Sequence, residues 1–310
     1  MRVTQLEISR NLLTDLEGLN RNFIDVNRQL SSGAKLNKLS DSPLGSADLV
    51  DITEQAQRLD SYRFNITNSS YQLKYAESVL NQAYNAFVAI QTRGTNAANE
   101  TVSVDGRRSL LNEIELLRDE IISIGNTKVD GIYIFAGTLV DTKPFELVND
   151  PVKNPVPPDD ELLYFQYNGN QNENKVPVSD DVEVFTSVNG KAALGAILEK
   201  VDGLIEAIKK SIDGTGTVDA IGDSLDGFGD ALDVLGTARG KIGVSLSMVE
   251  RLSSLINARE TVLKEQRSVI EDANALEVTQ RIAQLQTAMN AAIASGGAVL
   301  SQRTLFDILG

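Results

Sequence analysis

Apolar residues recur at helical spacing through both ends of this chain. Leu12, Leu16, Leu19, Phe23, Val26 and Leu30 step by fours and threes, the stripe that one face of an α-helix presents. The stripe ends at Ser31-Ser32-Gly33, residues suited to stopping a helix. Ser40-Asp41-Ser42-Pro43 then has the chemistry of a helix start, with proline in the first turn. A longer stripe follows through Leu49, Ile52, Ala56, Leu59, Ile66, Leu73, Leu80, Ala83, Phe87 and Ile90, with polar residues such as Arg63 and Ser70 at skipped seam positions. Unbroken, it would run ~60 Å at about 1.5 Å per residue, long for a globular helix and ordinary for a rod. A third segment carries Leu110, Ile114, Leu117, Ile121 and Ile124.

The pattern changes in the middle and then returns. Six of the seven prolines (Pro144, Pro151, Pro155, Pro157, Pro158 and Pro177) share one central window. Within or beside it, Ile132–Phe135, Leu162–Tyr167 and Val182–Thr186 read as strands, with Asn168-Gly169 and Asn189-Gly190 as turn dipeptides. Seven of the sixteen aromatics fall between Tyr133 and Phe185, which concentrates the bulky residues there. Beyond it, Ala192 to Ile212 carries Leu194, Ile197, Leu198, Val201, Ile205 and Ile208 at helical spacing. Glycine turns around Gly214 and Gly216 precede a long pattern through Val249, Leu252, Ile256, Leu263 and Ile270. A last seam holds Val278, Ile282, Leu285, Met289 and Ala292.

These elements predict a mainly α fold with an inserted β-rich domain (α+β). The amino- and carboxy-terminal halves form a long antiparallel helical bundle or coiled coil, with a small β head at its tip. Residues 1–42 and 270–310 are the terminal helices, 43–136 and 192–269 the rod, and 137–191 the head.

Composition narrows the chemistry. The chain has neither Cys nor His, which removes Ser-His-Asp and Cys-His catalysis, thiol redox chemistry and nearly all zinc sites. Its net charge of −14 leaves no basic footprint for nucleic acid or anionic lipid; solubility alone accounts for the acidity. No stretch reaches the roughly 20 apolar residues that span a bilayer. Met1 to Glu7 lacks the apolar core of a signal peptide, so the conventional expectation is a cytoplasmic chain. A lack of cysteine also suits a chain that leaves the cell unfolded.

Motif-like fragments give no catalytic site. Gly236-Thr237-Ala238-Arg239-Gly240-Lys241-Ile242 has three residues between its glycines where a phosphate loop needs four, and Ile242 stands where Ser or Thr is required. A join between helices rich in small residues explains it better. Gly227-Phe228-Gly229 lacks a third glycine and follows no strand. Asp219, Asp223, Asp226, Asp230 and Asp233 recur at helical steps, the mark of a solvated face rather than of a compact calcium loop. Glu113, Glu115 and Asp119 need a cleft to raise one pKa before they could work as acid and base.

The two terminal seams, Leu12–Leu30 and Val278, Ile282, Leu285 and Met289, remain. Packing on each other within one molecule is the plain reading. Burying one narrow seam, however, stabilises less than ordering both terminal helices costs. The ends are therefore expected to be disordered alone and ordered against neighbouring copies.

Three segments resemble the flagellin superfamily. Leu30-Ser31-Ser32-Gly33-Ala34-Lys35-Leu36-Asn37-Lys38-Leu39-Ser40-Asp41-Ser42-Pro43-Leu44-Gly45 is similar to its amino-terminal turn. Asn126-Thr127-Lys128-Val129-Asp130-Gly131-Ile132-Tyr133-Ile134-Phe135-Ala136-Gly137-Thr138 resembles the point where the outgoing helix turns into the head. Ser301-Gln302-Arg303-Thr304-Leu305-Phe306-Asp307-Ile308-Leu309 resembles the carboxy-terminal signature. Asp41, Ser42, Pro43, Gly131, Phe135, Gly137, Leu305, Phe306 and Leu309 carry the likeness. Asp41-Ser42-Pro43 and the Leu-Phe-Asp-Ile-Leu ending are nearer to the superfamily's hook–filament junction members than to its filament formers. Leu39 stands where the family often has proline, and Gly310 extends the usual end.

The resemblance implies a structural, non-enzymatic protein without cofactor, exported by the flagellar type III apparatus to the extracellular flagellum. Its implied partners are a junction protein on the hook side, flagellin on the filament side, further copies of itself in a ring, and an export chaperone. A minor flagellin that polymerises by itself is the alternative within the family. A carboxylate enzyme of the β head and a sensory coiled coil are the alternatives outside it; the latter would need a membrane span.

Overall fold

A computed structural model describes residues 2–36, 42–149 and 163–301. Helices dominate: α1 Arg2–Ser32, α2 Pro43–Ala97, α3 Val104–Gly125, α4 Ala196–Ile212, α5 Asp219–Ser224, α6 Phe228–Glu271 and α7 Ala275–Ser301. Among the described residues between α3 and α4 lie six short strands, β1 Lys128–Val129, β2 Ile132–Tyr133, β3 Phe145–Asn149, β4 Leu163–Tyr167, β5 Lys175–Pro177 and β6 Glu183–Phe185. They form three separate antiparallel pairs, β1–β2, β3–β4 and β5–β6. A π-helical turn, Lys191–Gly195, leads into α4. This is the expected class, mainly helical with an inserted β-rich segment.

The chain divides into two compact units, residues 1–58 with 258–310, and residues 59–257. The boundaries read from sequence at 42/43 and 269/270 thus fall inside the first unit. The β-rich segment shares the second unit with α3 and α4, instead of standing as a body of its own at 137–191.

The second unit is built on fully buried apolar side chains of its helices, among them Leu73, Leu80, Phe87 and Ile90 of α2, Ile114 and Ile121 of α3, and Ile197, Val201 and Leu204 of α4. Phe87 stacks on Phe228 of α6, ring centroids 4.7 Å apart and nearly parallel, and Arg239 of α6 pairs with Glu77 of α2 at 2.7 Å. Arg107 is buried because it closes the end of α2: its Nε donates to Ala97 O at 3.1 Å and its Nη2 to Asn99 O at 3.2 Å. Free carbonyls at a helix end favour such a cation.

The β-rich segment is fastened to the helices by polar side chains. Asn126, at the end of α3, donates from Nδ2 to Phe145 O at 2.8 Å and accepts from Phe145 N at 2.9 Å, so one amide pairs with both backbone groups of a β3 residue. Arg118 of α3 donates to Leu163 O at 3.2 Å, and Asp202 of α4 accepts from Phe165 N at 2.8 Å. Tyr164 donates to Glu206 at 3.1 Å.

Several local expectations need correction. The helix through Gly236 to Ile242 is continuous, so no join occurs there. The five aspartates are all exposed, as a solvated face requires, but they do not share one helix: Asp219 and Asp223 lie in α5, Asp226 in the turn after it, and Asp230 and Asp233 in α6. The expected strand Ile132–Phe135 stops at Tyr133, because Ile134 O and Phe135 O accept from Val188 N and Gly190 N instead. Val182–Thr186 is trimmed to Glu183–Phe185, and Leu162 lies outside the described residues. Asn168-Gly169 and Asn189-Gly190 do not close hairpins, since β4 pairs backwards with β3 and Asn189 bridges to Ala136. The two-residue hairpin loop is Asp130-Gly131 between β1 and β2, with φ of 52° and 85°, the positive values that a type I′ turn needs.

Candidate assembly surface

In the first unit the two ends of the chain meet. Leu12, near the start of α1, lies against Gly296, near the end of α7; a Cβ at Gly296 would collide with Leu12 Cδ2. At the other end of the same pair, Lys35 N donates to Glu271 O at 2.6 Å and Ala273 N to Gly33 O at 2.8 Å. These two bonds flank an antiparallel bridge between Ala34 and Asp272. The helices α1 and α7 are therefore antiparallel and stapled where the chain enters and leaves them.

The local chemistry sets those ends. Gly33, at φ +71°, takes the left-handed conformation after α1 and donates to Gln29 O at 2.9 Å, the usual stop for a helix. Asn274 precedes α7, and its Oδ1 accepts from Leu276 N at 3.1 Å and Glu277 N at 3.4 Å, as a helix N-cap does. Ser42 caps α2 in the same way, its Oγ accepting from Gly45 N at 3.2 Å, with Pro43 in the first turn.

The predicted seam residues are brought together in part. Val26 and Val278 are buried, at 5% and 6% exposure. Leu12, Leu16, Leu19, Phe23, Ile282, Leu285 and Met289 are half-buried, and Leu30 is exposed. The expectation left each seam to neighbouring copies; the structure draws α1 and α7 on each other, and one narrow contact covers only one side of each helix. Apolar side chains that the seam reading missed stay in solvent beside it: Leu13, Ile24, Leu276 and Ile293, between 49% and 68% exposed. The sequence did carry a signal for two of them. Leu13 and Ile24 are eleven residues apart, about three helical turns, and so share a second face of α1.

The motif residues at the turn into the β segment lie in the second unit. Phe135 is fully buried, and its carbonyl sits 3.0 Å from Tyr167 Oη. Gly137, at φ +71°, is packed so that a Cβ would strike the backbone carbonyls of Asn170 and Asn172. Asn170 Oδ1 accepts from Thr138 N at 2.9 Å and from Asn172 N at 3.2 Å. Gly131 belongs to the hairpin loop, with open space where its side chain would be. Asp41, Leu305, Phe306 and Leu309 lie outside the described residues.

The acidic residues considered for catalysis each meet a cation. Glu113 binds Arg93 at 2.7 Å, Glu115 binds Lys209 at 3.0 Å, and Asp119 binds Arg118 at 3.2 Å. Among the described residues, no group of three or more His, Cys, Asp or Glu is placed to hold a metal ion, and no helix is long and apolar enough to cross a membrane.

Paired terminal helices and polar clasps define the class, a mainly helical protein with an inserted β-rich segment. Residues 3–139 match the family model of the bacterial flagellin N-terminal helical region. It is 28% identical over 148 residues to flagellar hook-associated protein 3 of Salmonella typhimurium, a match covering 47% of this chain and 46% of that one. It is 32% identical over 124 residues to flagellar hook-associated protein 3 of Escherichia coli, covering 40% of this chain and 39% of the relative. The matches thus span less than half the length of these curated relatives. A solved flagellar hook-associated protein of Vibrio parahaemolyticus shares the fold, with a TM-score of 0.62 at 19% identity, over 74% of this chain and 99% of that structure.

Proposed function

We propose that this protein is a structural adaptor of the bacterial flagellum, set between a hook-side junction protein and the flagellin filament. It acts by assembly and carries out no reaction. The observation that carries the reading is the α1–α7 pair, whose seams are partly covered while Leu13, Ile24, Leu276 and Ile293 remain in solvent. Exposed apolar rows on a helix pair are surfaces for further helices. In this reading residues 1–42 and 270–310 serve assembly, with Leu12, Leu16, Leu19, Phe23, Val26, Leu30, Val278, Ile282, Leu285 and Met289 as the interface. Copies form a ring, after export by the flagellar type III apparatus in the company of a chaperone. The likeness to hook-associated protein 3 of two bacteria supports the junction role over a larger flagellar class.

The test is deletion of the gene. Cells with intact hooks that shed filament protein into the medium are the expected outcome, reversed by the full-length chain. Filaments attached normally in the deletion strain would reject the adaptor. A minor flagellin is the second reading, favoured by the family model that residues 3–139 match. Adding the purified chain to flagellar seeds separates the two, because long homopolymers belong to a flagellin alone.

A further inference from the structure

The second unit carries an exposed aromatic ridge and, on other elements, an empty apolar hollow. Phe64 of α2 is 66% exposed, and Tyr71 and Tyr75 continue its line at 56% and 39%. Seven and eleven residues on from Phe64, they lie on one helical face. Beside that face, α2 grips the β5–β6 hairpin through Tyr62, bonded to Asp180, and Asn65, bonded to Pro177 O. The hollow, about 240 Å³, opens where β6, the π-helical turn and α6 meet. Phe185, Val188, Ala192, Val234 and Ile242 give it an apolar lining, and Val234 is 42% exposed.

The charges around the two features match. Glu173 and Lys241 stand at the hollow, both exposed and without an ion pair among the described residues. Phe64 is flanked by Asp60 and Arg63, which pair with each other at 2.6 Å while both stay more than half exposed. One anion and one cation beside the knob thus face one cation and one anion beside the hole.

We infer that Phe64 of one copy seats in the hollow of a second copy, with Asp60 turned to Lys241 and Arg63 to Glu173. The inference rests on the assembly reading above and names the contact by which copies stand side by side. Knob and hole share no residue, so the contact is heterologous. Contacts of that kind close into rings or run on as helices. A single seated ring buries far less than the roughly 1,600 Å² of a stable pair. The contact therefore fills only when other contacts already hold the copies together.

The test places p-benzoylphenylalanine, which keeps an aromatic ring, at position 64 of the full-length chain in flagellated cells. Irradiation of isolated flagella is expected to give a ladder of multimers of this chain, with adducts in 185–192 or 234–242 of a second copy. Val234→Arg, which fills the mouth, should abolish the ladder without loss of helical circular dichroism. Lys241→Glu should cut the yield severalfold, and adding Asp60→Lys should restore it. Adducts on flagellin, on another flagellar protein or elsewhere on this chain would overturn the inference, as would attached filaments with no ladder, which leaves the adaptor reading intact. A ladder in cells that attach no filament would sink the adaptor reading and keep the contact. Where no filament attaches, the labelled chain is co-expressed with the parent chain, whose other contacts hold the copies together, and lack of an adduct on the parent chain there counts equally against it.

Discussion

Leu12 and Gly296 meet across the two ends of the chain, nearly three hundred residues apart in sequence, with Leu12 Cδ2 standing where a side chain at position 296 would begin. Only the tip of a flexible leucine stands in the way, so a methyl group is accommodated by a change of rotamer. Alanine also favours a helix over glycine by about 1 kcal/mol. Gly296→Ala should therefore leave the α1–α7 pair within about 1 kcal/mol of the parent. Gly296→Val should weaken it by roughly 1–3 kcal/mol, and Leu12→Ala in the same chain should recover most of that loss. Amide hydrogen exchange in α1 and α7 reads all three.

Charge in the seam should part the helices without unfolding the second unit. Val26→Asp places a carboxylate at a buried apolar position and Ile282→Asp one at a half-buried position, and burying an unpaired charge is costly. The expected result is loss of filament attachment and faster proteolysis within residues 2–36 and 275–301, with residues 59–257 as resistant as before. Normal attachment by the double variant would count against these residues as the interface.

Asn274 is expected to hold the start of α7. Asn274→Ala removes the acceptor for two backbone N–H groups, a loss of about 1 kcal/mol. Exchange protection should fall in the first turn of α7 and leave α3 unchanged.

The turn into the β segment is less forgiving. At Gly137 an added Cβ meets backbone carbonyls that cannot swing away, and φ is positive. Gly137→Ala should cost about 1–3 kcal/mol and lower the melting temperature of the second unit. Gly131→Ala, with open space around it, carries the φ penalty alone and should cost less.

Tyr167 makes that turn sensitive to alkali. Burial pushes its hydroxyl above the ordinary tyrosine value of 10.0, partly offset by backbone groups of Gly190 and Lys191. The folded state thus keeps its proton more tightly than the unfolded chain. Its contribution is complete below about pH 10 and is lost as pH rises through the higher folded value. Denaturant midpoints should fall across that window, and Tyr167→Phe should flatten the fall.

The helices were legible because their apolar spacing is long and regular, and Gly33, Ser42 and Pro43 punctuate it. The β-rich segment was legible in kind but not in pairing. Phe145–Asn149 carries Phe145, Leu147 and Val148, yet it is short and lies next to a proline-rich stretch that argues for loop. Lys175–Pro177 ends in a proline that demotes it as a strand. Asp130-Gly131 was passed over for the two Asn-Gly pairs, whose asparagines serve other backbone contacts. At the assembly surface, counting one stripe per helix found Leu12 and Phe23 and overlooked Leu13 and Ile24 beside them. The meeting of α1 with α7 depends on contacts between residues far apart in the chain, which no local pattern encodes.

The staple of Ala34 on Asp272 has a consequence for damaged chains. Among the described residues α1 and α7 pack on each other, so a copy that lacks either helix leaves the apolar face of the other in solvent. Removal of one helix by proteolysis or incomplete synthesis therefore marks the damaged copy with a bare apolar stripe on the surviving one.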